Sequence, residues 1–495
     1  EKDERKNMSQ LISDCDGQNL IVILSDQHTR QAIGAMGHKV VKTPNLDRLA
    51  ESGTLFRQAY CNAPICVPSR ATLATGRYAF EIEKWDNCKP YNGAETSWGH
   101  RLAGQGHLAA SIGKLHFRSE EDDNGFSPEL LPLHVVNGIG NLFTICRNPL
   151  PVARKFAGLI SDAGAGNSSY IEYDRDIINQ AINWIREYGL KQEKPWVLFV
   201  SLVCPHPPWI APPEFFELYS LKDIDFPRAY CLDERPLHPG LEDFRHFLGI
   251  KGEFGEEIVR RVVATYYGMI SYLDDNIGKL LTAVNESSLK NTMRFLYTSD
   301  HGESMGQKGL FSKQNMFEES VGIPMILAGA DIPKGHICDT PVQLIDVFPT
   351  VMDCAGATPD EKDKSLQGSS LVSIANGNSF DRTIFSEQHC AGASSAVYMV
   401  RRGQHKLVKY MQGYPSQFFD LEADPLELTD LGSVPEYENL ISDLEKCLRS
   451  ILDPEAIDKK AKNDQWQRLE AAGGIENIVS KGSQGYTPAP GENPE

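Results

Sequence analysis

Short, unbroken apolar runs recur through the first 360 residues or so, with helical patterns between them. Leu20–Leu24 (LIVIL) is the plainest. Five consecutive apolar residues are too few for a helix and show no alternation, so the run predicts a strand buried on both faces. Trp196–Val203, Arg294–Thr298 and Pro324–Leu327 read the same way. Between them, Asp174–Tyr188 returns Ile177, Ile178, Ala181, Ile182 and Ile185 at helical spacing, and Lys42–Ser52 puts Leu46 and Leu49 on one face. Strands alternating with helices imply the α/β class with a mostly parallel central sheet.

After about residue 375 the texture changes. Ala396–Val400, Lys406–Tyr410 and Gln417–Asp420 are short runs separated by the turn signals Arg402-Gly403 and Gly413-Tyr414-Pro415. They predict an antiparallel meander, with a helix near Tyr437–Leu452. The expected organisation is an N-terminal extension (1–18), a catalytic domain (19–372), a smaller C-terminal α+β subdomain with an antiparallel sheet (373–455) and a tail (456–495). Gly473 to Glu495 is rich in Gly and Pro and reads as an extended arm. It is either a frayed end or a strap on a neighbouring subunit, and the second reading makes the protein a homo-oligomer.

A chain of 495 residues can hold one large core and a smaller partner. Its formal net charge of −18 disfavours nucleic acid and anionic membrane as partners. No apolar run approaches the roughly 20 residues that span a bilayer. The eleven cysteines are an odd number, scattered singly, with no Cys-x-x-Cys pair. That pattern offers no thiolate zinc site and favours a reducing, cytoplasmic compartment over a disulfide framework. A periplasmic or secreted location follows instead if a leader was removed before Glu1.

The strongest local signal is Cys66-Val67-Pro68-Ser69-Arg70-Ala71, continuing to Thr75-Gly76. Taken singly, Cys66 is a small hydrophobe and Pro68-Ser69 a turn into a helix. Neither reading supplies a reason for a thiol beside an arginine at a helix N-terminus, a place suited to an anion. Two acidic groups follow strands: Asp26 in Ser25-Asp26-Gln27, and Asp300 in Ser299-Asp300-His301-Gly302. An Asp after a strand is often only a helix cap. Two of them at the same end of a parallel sheet can share a hard cation through oxygen ligands. Lys114 and His116, two apart on an extended segment, point to one face and can reach one anion. His206 lies in Cys204-Pro205-His206-Pro207-Pro208, at the end of the Trp196 strand.

The Cys66 run resembles the signature of the type I sulfatases, Cys-x-Pro-Ser-Arg followed by Thr-Gly, within the alkaline phosphatase superfamily. Gly113-Lys114-Leu115-His116 is similar to that family's Gly-Lys-x-His element, and Lys313 falls where the family has a sulfate-binding lysine. Lys42–Ala50 matches its first helix, and Phe418-Phe419-Asp420-Leu421 with Asp424-Pro425 its C-terminal strand and turn. The resemblance runs from Asn19 to about Leu431 and implies an alkaline-phosphatase-like sandwich.

It also implies that Cys66 is oxidised to formylglycine by a formylglycine-generating enzyme. One hydroxyl of the hydrated aldehyde attacks sulfur, and the other later expels sulfate. The implied metal set is Asp26, Gln27, Cys66, Asp300 and His301, holding calcium first and manganese second. Asp300 is the implied base for the nucleophile. Arg70 and Lys114 orient it, His116 accepts a proton as the aldehyde re-forms, and His206 and Lys313 hold sulfate and assist the leaving group. Many members carry Asp-Asp where this chain has Asp26-Gln27, a departure that resembles the branch of choline sulfatases and phosphonate monoester hydrolases.

Trp85, Asp86 and Asn87, the Phe117–Asn124 segment and Glu387-Gln388-His389 are candidates for the pocket mouth and for substrate binding. Choline sulfatases hold a quaternary ammonium with aromatic and acidic groups. Here no Trp or Tyr lies between Pro128 and Phe143, so choline sulfate is not favoured over a small aryl sulfate, sulfated sugar or other sulfated metabolite. The expected activity is sulfate ester hydrolysis. The alternatives are a phosphonate monoester or phosphodiester hydrolase on the same scaffold, and an inactive binding protein that keeps the fold.

Overall fold

A computed structural model describes residues 17–250, 252–378, 381–483 and 486–492. The N-terminal extension therefore falls outside the described residues up to position 16.

Eight strands form one sheet: β1 (Asn19–Ser25), β2 (Gly53–Phe56), β3 (Ala109–Lys114), β4 (Glu129–Leu133), β5 (Val197–Ser201), β6 (Met293–Ser299), β7 (Met325–Gly329) and β8 (His336–Cys338). Their order across the sheet is β8-β2-β7-β6-β1-β5-β3-β4. Every neighbouring pair is parallel except those made by β7, which runs against both β6 and β2. The LIVIL run is central: Ile21 pairs with Leu198 of β5 on one side and Phe295 of β6 on the other. All five of its residues are fully buried, because helices cover both faces of the sheet.

One layer holds α1 (Pro44–Glu51) and α4 (Ser169–Glu187), each packed on α5 (Glu256–Asn285). The other holds α2 (Cys66–Thr75), α3 (Trp98–Gly104) and α6 (Val347–Ala355). The 30-residue α5 is the spine of its layer. It buries Val259, Val262, Val263, Tyr266, Ile270, Leu273, Ile277, Leu280 and Val284 at helical spacing.

The C-terminal subdomain is an antiparallel sheet of β9 (Thr383–Gln388), β10 (Val397–Arg402), β11 (His405–Tyr410) and β12 (Gln417–Asp420), in that order. Together with α7 (Glu438–Ile451) it builds a second core from Phe385, Tyr398, Val400, Leu407, Phe418, Leu444 and Leu448. The expected meander is present, with one strand more than the three read from the sequence.

Before the stretch read as an extended arm stands α8 (Pro454–Ala471), opened by Pro454 behind the Asp453 cap. Within 473–495, Gly473, at φ 95°, leads into a helix, α9 (Gly474–Lys481), and the described residues after Gly482 have no regular structure. No helix among the described residues is long and apolar enough to cross a membrane, and the ten described cysteines form no disulfide.

Candidate active site

The four adjacent parallel strands β6, β1, β5 and β3 end at one edge of the sheet, and each ending carries a site residue. Asp300 and His301 follow β6, and Asp26 and Gln27 follow β1. His206 lies five residues after β5, while Lys114 closes β3 with His116 just beyond it. Cys66 approaches from the facing helix layer as the first residue of α2, every residue of which is buried.

Arg70, one turn into α2 and 2% exposed, ties these endings together. Its Nη2 donates to Asp26 Oδ2 at 2.9 Å and its Nε to Asp300 Oδ2 at 2.9 Å. Its Nη1 donates to the Lys114 carbonyl and, at 2.9 Å, to Ser201 Oγ at the end of β5. Lys114 Nζ lies 2.8 Å from Asp26 Oδ2. Asp300 Oδ1 accepts from the backbone N–H of Gln27 and of His301, at 3.1 and 2.9 Å.

Cys66 Sγ stands 3.2 Å from His301 Nε2 and 3.7 Å from Asp26 Oδ1. His301 Nδ1 bonds the Gly302 carbonyl at 3.1 Å, which turns the Nε2 lone pair toward the cluster. Ligand atoms of Asp26, Cys66, Asp300 and His301 all lie within 4.8 Å of one another. Two carboxylates and an imidazole at that spacing suit a divalent cation. The Gln27 side chain is engaged elsewhere: its Nε2 donates to Glu303 and its Oε1 accepts from Lys313.

Burial alone would raise the Asp26 carboxyl, but the Lys114 ammonium, with the Arg70 guanidinium, outweighs it and holds Asp26 well below the ordinary range. Burial, reinforced by the Asp26 charge, pushes Asp300 up to about 6. Burial and then Lys114 and Arg70 hold His116 far down, and burial and then Lys313 do the same to His206, so both imidazoles are neutral. His206 Nδ1 bonds the Pro207 carbonyl at 2.6 Å, leaving Nε2 to act.

Several of these residues sit in left-handed backbone that side chains disfavour: Gln27 at φ 72°, His116 at 59°, Ser312 at 70° and Gln314 at 65°. Gly113 (φ 99°) lets β3 pass β5, since a Cβ there would come within 2.2 Å of the Ser201 carbonyl.

Cys66, Lys114, His116, His206 and Lys313 line one cavity of about 150 Å3. Its outer wall sets the apolar Val135, Val136, Phe156, Leu159, Phe247 and Leu248 beside the polar Asn141 and Lys155. Of the pocket-mouth candidates, Asn87 is on the wall, and its Oδ1 accepts from Val67 N–H in the first turn of α2. Trp85, Asp86 and His389 lie behind the wall, at most 1% exposed. Asp86 is gripped by Arg468 and Gln465 of α8, Trp85 donates to Asp464, and His389 pairs with Glu387 at 2.7 Å. The tail helix consumes the polar groups of Trp85 and Asp86, and Glu387 that of His389. The 117–124 segment is likewise absent from the wall.

Sequence reasoning passed over three supports. Ser201 bonds Arg70. Glu303 Oε1 accepts from Met305 and Ser312 N–H and so shapes the loop leading to Lys313. Asp174 accepts from Val203 and Cys204 N–H at 2.7 and 2.8 Å and fixes the His206 loop. Only Glu303, two residues beyond His301, carried a local signal.

The sulfatase family model matches residues 18–357. The chain belongs to the sulfatase family. A second model, the C-terminal region of N-sulphoglucosamine sulphohydrolase, matches residues 306–453 of this sulfatase. A choline-sulfatase of Rhizobium meliloti is 31% identical over 439 residues, covering 84% of this chain and 83% of that protein. Arylsulfatase K of Danio rerio is 29% identical over 475 residues, covering 92% and 87%. Among solved structures, the phosphonate monoester hydrolase of Agrobacterium radiobacter shares the fold at a TM-score of 0.71 and 24% identity, covering 88% of this sulfatase and 95% of that chain.

Proposed function

We propose that this sulfatase hydrolyses the sulfate monoester of a small, uncharged alcohol or phenol, with Cys66 converted to formylglycine as the nucleophile. The reading rests on one observation: the Cys66 side chain meets Asp26 and His301 at the floor of a cavity whose other polar floor groups are Lys114, His116, His206 and Lys313.

A hydrated aldehyde at position 66 supplies one hydroxyl to attack sulfur and a second to release sulfate. A divalent cation held by Asp26, Asp300, His301 and residue 66 would supply a fixed positive charge and a lowered hydroxyl pKa beside it. Asp300 would take the proton of the attacking hydroxyl. Arg70 keeps both carboxylates aimed through its fork of hydrogen bonds. Lys114 and Lys313 stabilise charge on the sulfate oxygens without reorganising, because each is buried and already paired. With Nδ1–H given to the Pro207 carbonyl, His206 assists the leaving oxygen only with a second proton on Nε2, which the bound sulfate anion would favour, and His116 faces the sulfate from the β3 side.

The described cavity wall contains no carboxylate. A quaternary ammonium would find aromatic faces at Phe156 and Phe247 but no counter-charge, so choline sulfate is a poor fit and an apolar-faced leaving group a good one. Gln27, which takes the place of a second aspartate, keeps open the other reading, a phosphonate monoester or phosphodiester hydrolase.

Two measurements test this. Peptide mass spectrometry across Cys66, from a host able to convert it, should show a loss of about 18 Da; full activity with unmodified Cys66 sinks the nucleophile. Parallel rates on an aryl sulfate, choline sulfate and an aryl phosphonate should favour the first. A clear phosphonate preference selects the other reading.

A further inference from the structure

After α9 the chain returns to the mouth of its own active site. Thr487 Oγ1 lies 3.0 Å from His116 Nε2, and the Thr487 carbonyl accepts a hydrogen bond from the Tyr170 hydroxyl. The Tyr486 ring meets the Tyr170 ring edge-on at 5.4 Å, and the Tyr170 ring stands 6.0 Å from that of His206. Ala489 is 5% exposed and joins the main core, which anchors the segment beyond the contact. Ser483, Tyr486 and Thr487 form part of the cavity wall.

The partner of His116 is the informative detail. Its Nδ1 is buried with no hydrogen-bond partner among the described residues, and Thr487 is the group on its Nε2. His116 also sits in left-handed backbone at φ 59°, a conformation that a side-chain-bearing residue adopts at a cost. A ring with one buried, unpaired nitrogen is fixed by whatever holds the other. Here that group comes from the last ten residues of the chain, 371 positions away in sequence.

We infer that the segment Tyr486–Ala489 completes the active site of the same chain: Thr487 is a positioning residue for His116, and Tyr486 is the wall that sets the size of the leaving group. The inference rests on the sulfate-ester reading above and adds a part that none of the strand-end motifs contains. The physical division is simple. Thr487 acts on a ring that faces the sulfate, which is common to every substrate, so its loss affects turnover. Tyr486 faces the cavity where substrates differ, so its loss affects selection.

The test uses the full-length, converted protein with 4-nitrophenyl sulfate and a steroid sulfate as small and bulky probes. Thr487→Val should lower kcat by about tenfold or more on both probes with KM changed little, and Thr487→Ser, which keeps the hydroxyl, should recover most of that loss. Tyr486→Ala should weaken kcat/KM on the small ester by about fivefold and improve it on the bulky one. Thermal unfolding of each variant should match the parent. Thr487→Val with parental kcat, or Thr487→Ser no better than Val, overturns the positioning role. Equal changes on both probes in Tyr486→Ala overturn the wall. Converted parent protein that turns over neither sulfate sinks the sulfate-ester reading and this inference with it; an active parent with indifferent variants sinks the tail assignment alone.

Discussion

Arg70 shows how much of the site one side chain can organise. It reaches Asp26, Asp300, Ser201 and the Lys114 carbonyl, and so fixes the endings of β1, β6, β5 and β3 relative to α2. A lysine cannot reproduce a planar fork with several donors. Arg70→Lys should fold but lower kcat by about 10²-fold or more, the usual scale for losing a fixed charged donor in a dry site. Ser201→Ala, which removes one of the four contacts, should cost far less. Steady-state kinetics on an aryl sulfate would check both, and an Arg70→Lys loss as small as that of Ser201→Ala would mean that Arg70 acts only as a charge. The local spelling from Cys66 to Arg70 made this residue legible in the sequence. Ser201, Asp174 and Thr487 were not, because each is an ordinary polar residue that acquires its role only when the fold brings a distant partner to it.

Elements were legible in proportion to how strongly burial on both faces marked them. β1, β5, β6 and β7 follow from apolar runs, and β12 matches its predicted bounds. β4 has the sequence ELLPL, is half exposed and contains Pro132, which only an edge position tolerates. The long α5 had a regular apolar stripe in the sequence, but its contact with α1 did not show. Asp274 of α5 accepts from Asn45 and Leu46 N–H at the start of α1, so one helix caps another from 228 residues away. Burial pushes the Asp274 carboxyl from 3.8 up to about 6. The folded protein thus binds a proton there that the unfolded chain has released. Stability from this group is complete below about pH 4 and declines as pH rises to about 6, by about 3 kcal/mol in all. In Asp274→Asn that slope disappears. The unfolding free energy of the parent, relative to the variant, should therefore fall by about this amount between pH 4 and pH 7 in urea titrations. A difference independent of pH would show that Asp274 is not the titrating cap.

At the scale of the whole molecule, the smaller subdomain is joined to the catalytic domain through buried charge. Lys406 of β11 is fully buried, with Nζ 2.9 Å from Glu318 and 2.7 Å from Glu427. Arg30 pairs with Glu318 from the other side, and the Glu318 N–H donates to Glu427 at 2.7 Å. This junction reaches the chemistry, because the turn that carries Glu318 also pairs its backbone with the loop after His301: Gly302 N–H donates to the Ser320 carbonyl at 2.7 Å and Glu303 N–H to the Glu319 carbonyl at 2.9 Å. A buried ion pair contributes little against an apolar substitute, whereas removing one partner strands the other in low dielectric. Lys406→Met should therefore destabilise the fold by about 3–5 kcal/mol. Adding Glu427→Gln, which removes one stranded charge, should recover part of it. The same single variant should also lower turnover, since the loop bearing His301 and Glu303 leans on the displaced turn. Urea unfolding of the single and double variants, read beside their kinetics, separates the cases. A Lys406→Met protein within about 1 kcal/mol of the parent would show that the subdomain is held by its apolar contacts alone. One that is destabilised yet fully active would show that the junction supports the fold without supporting the site.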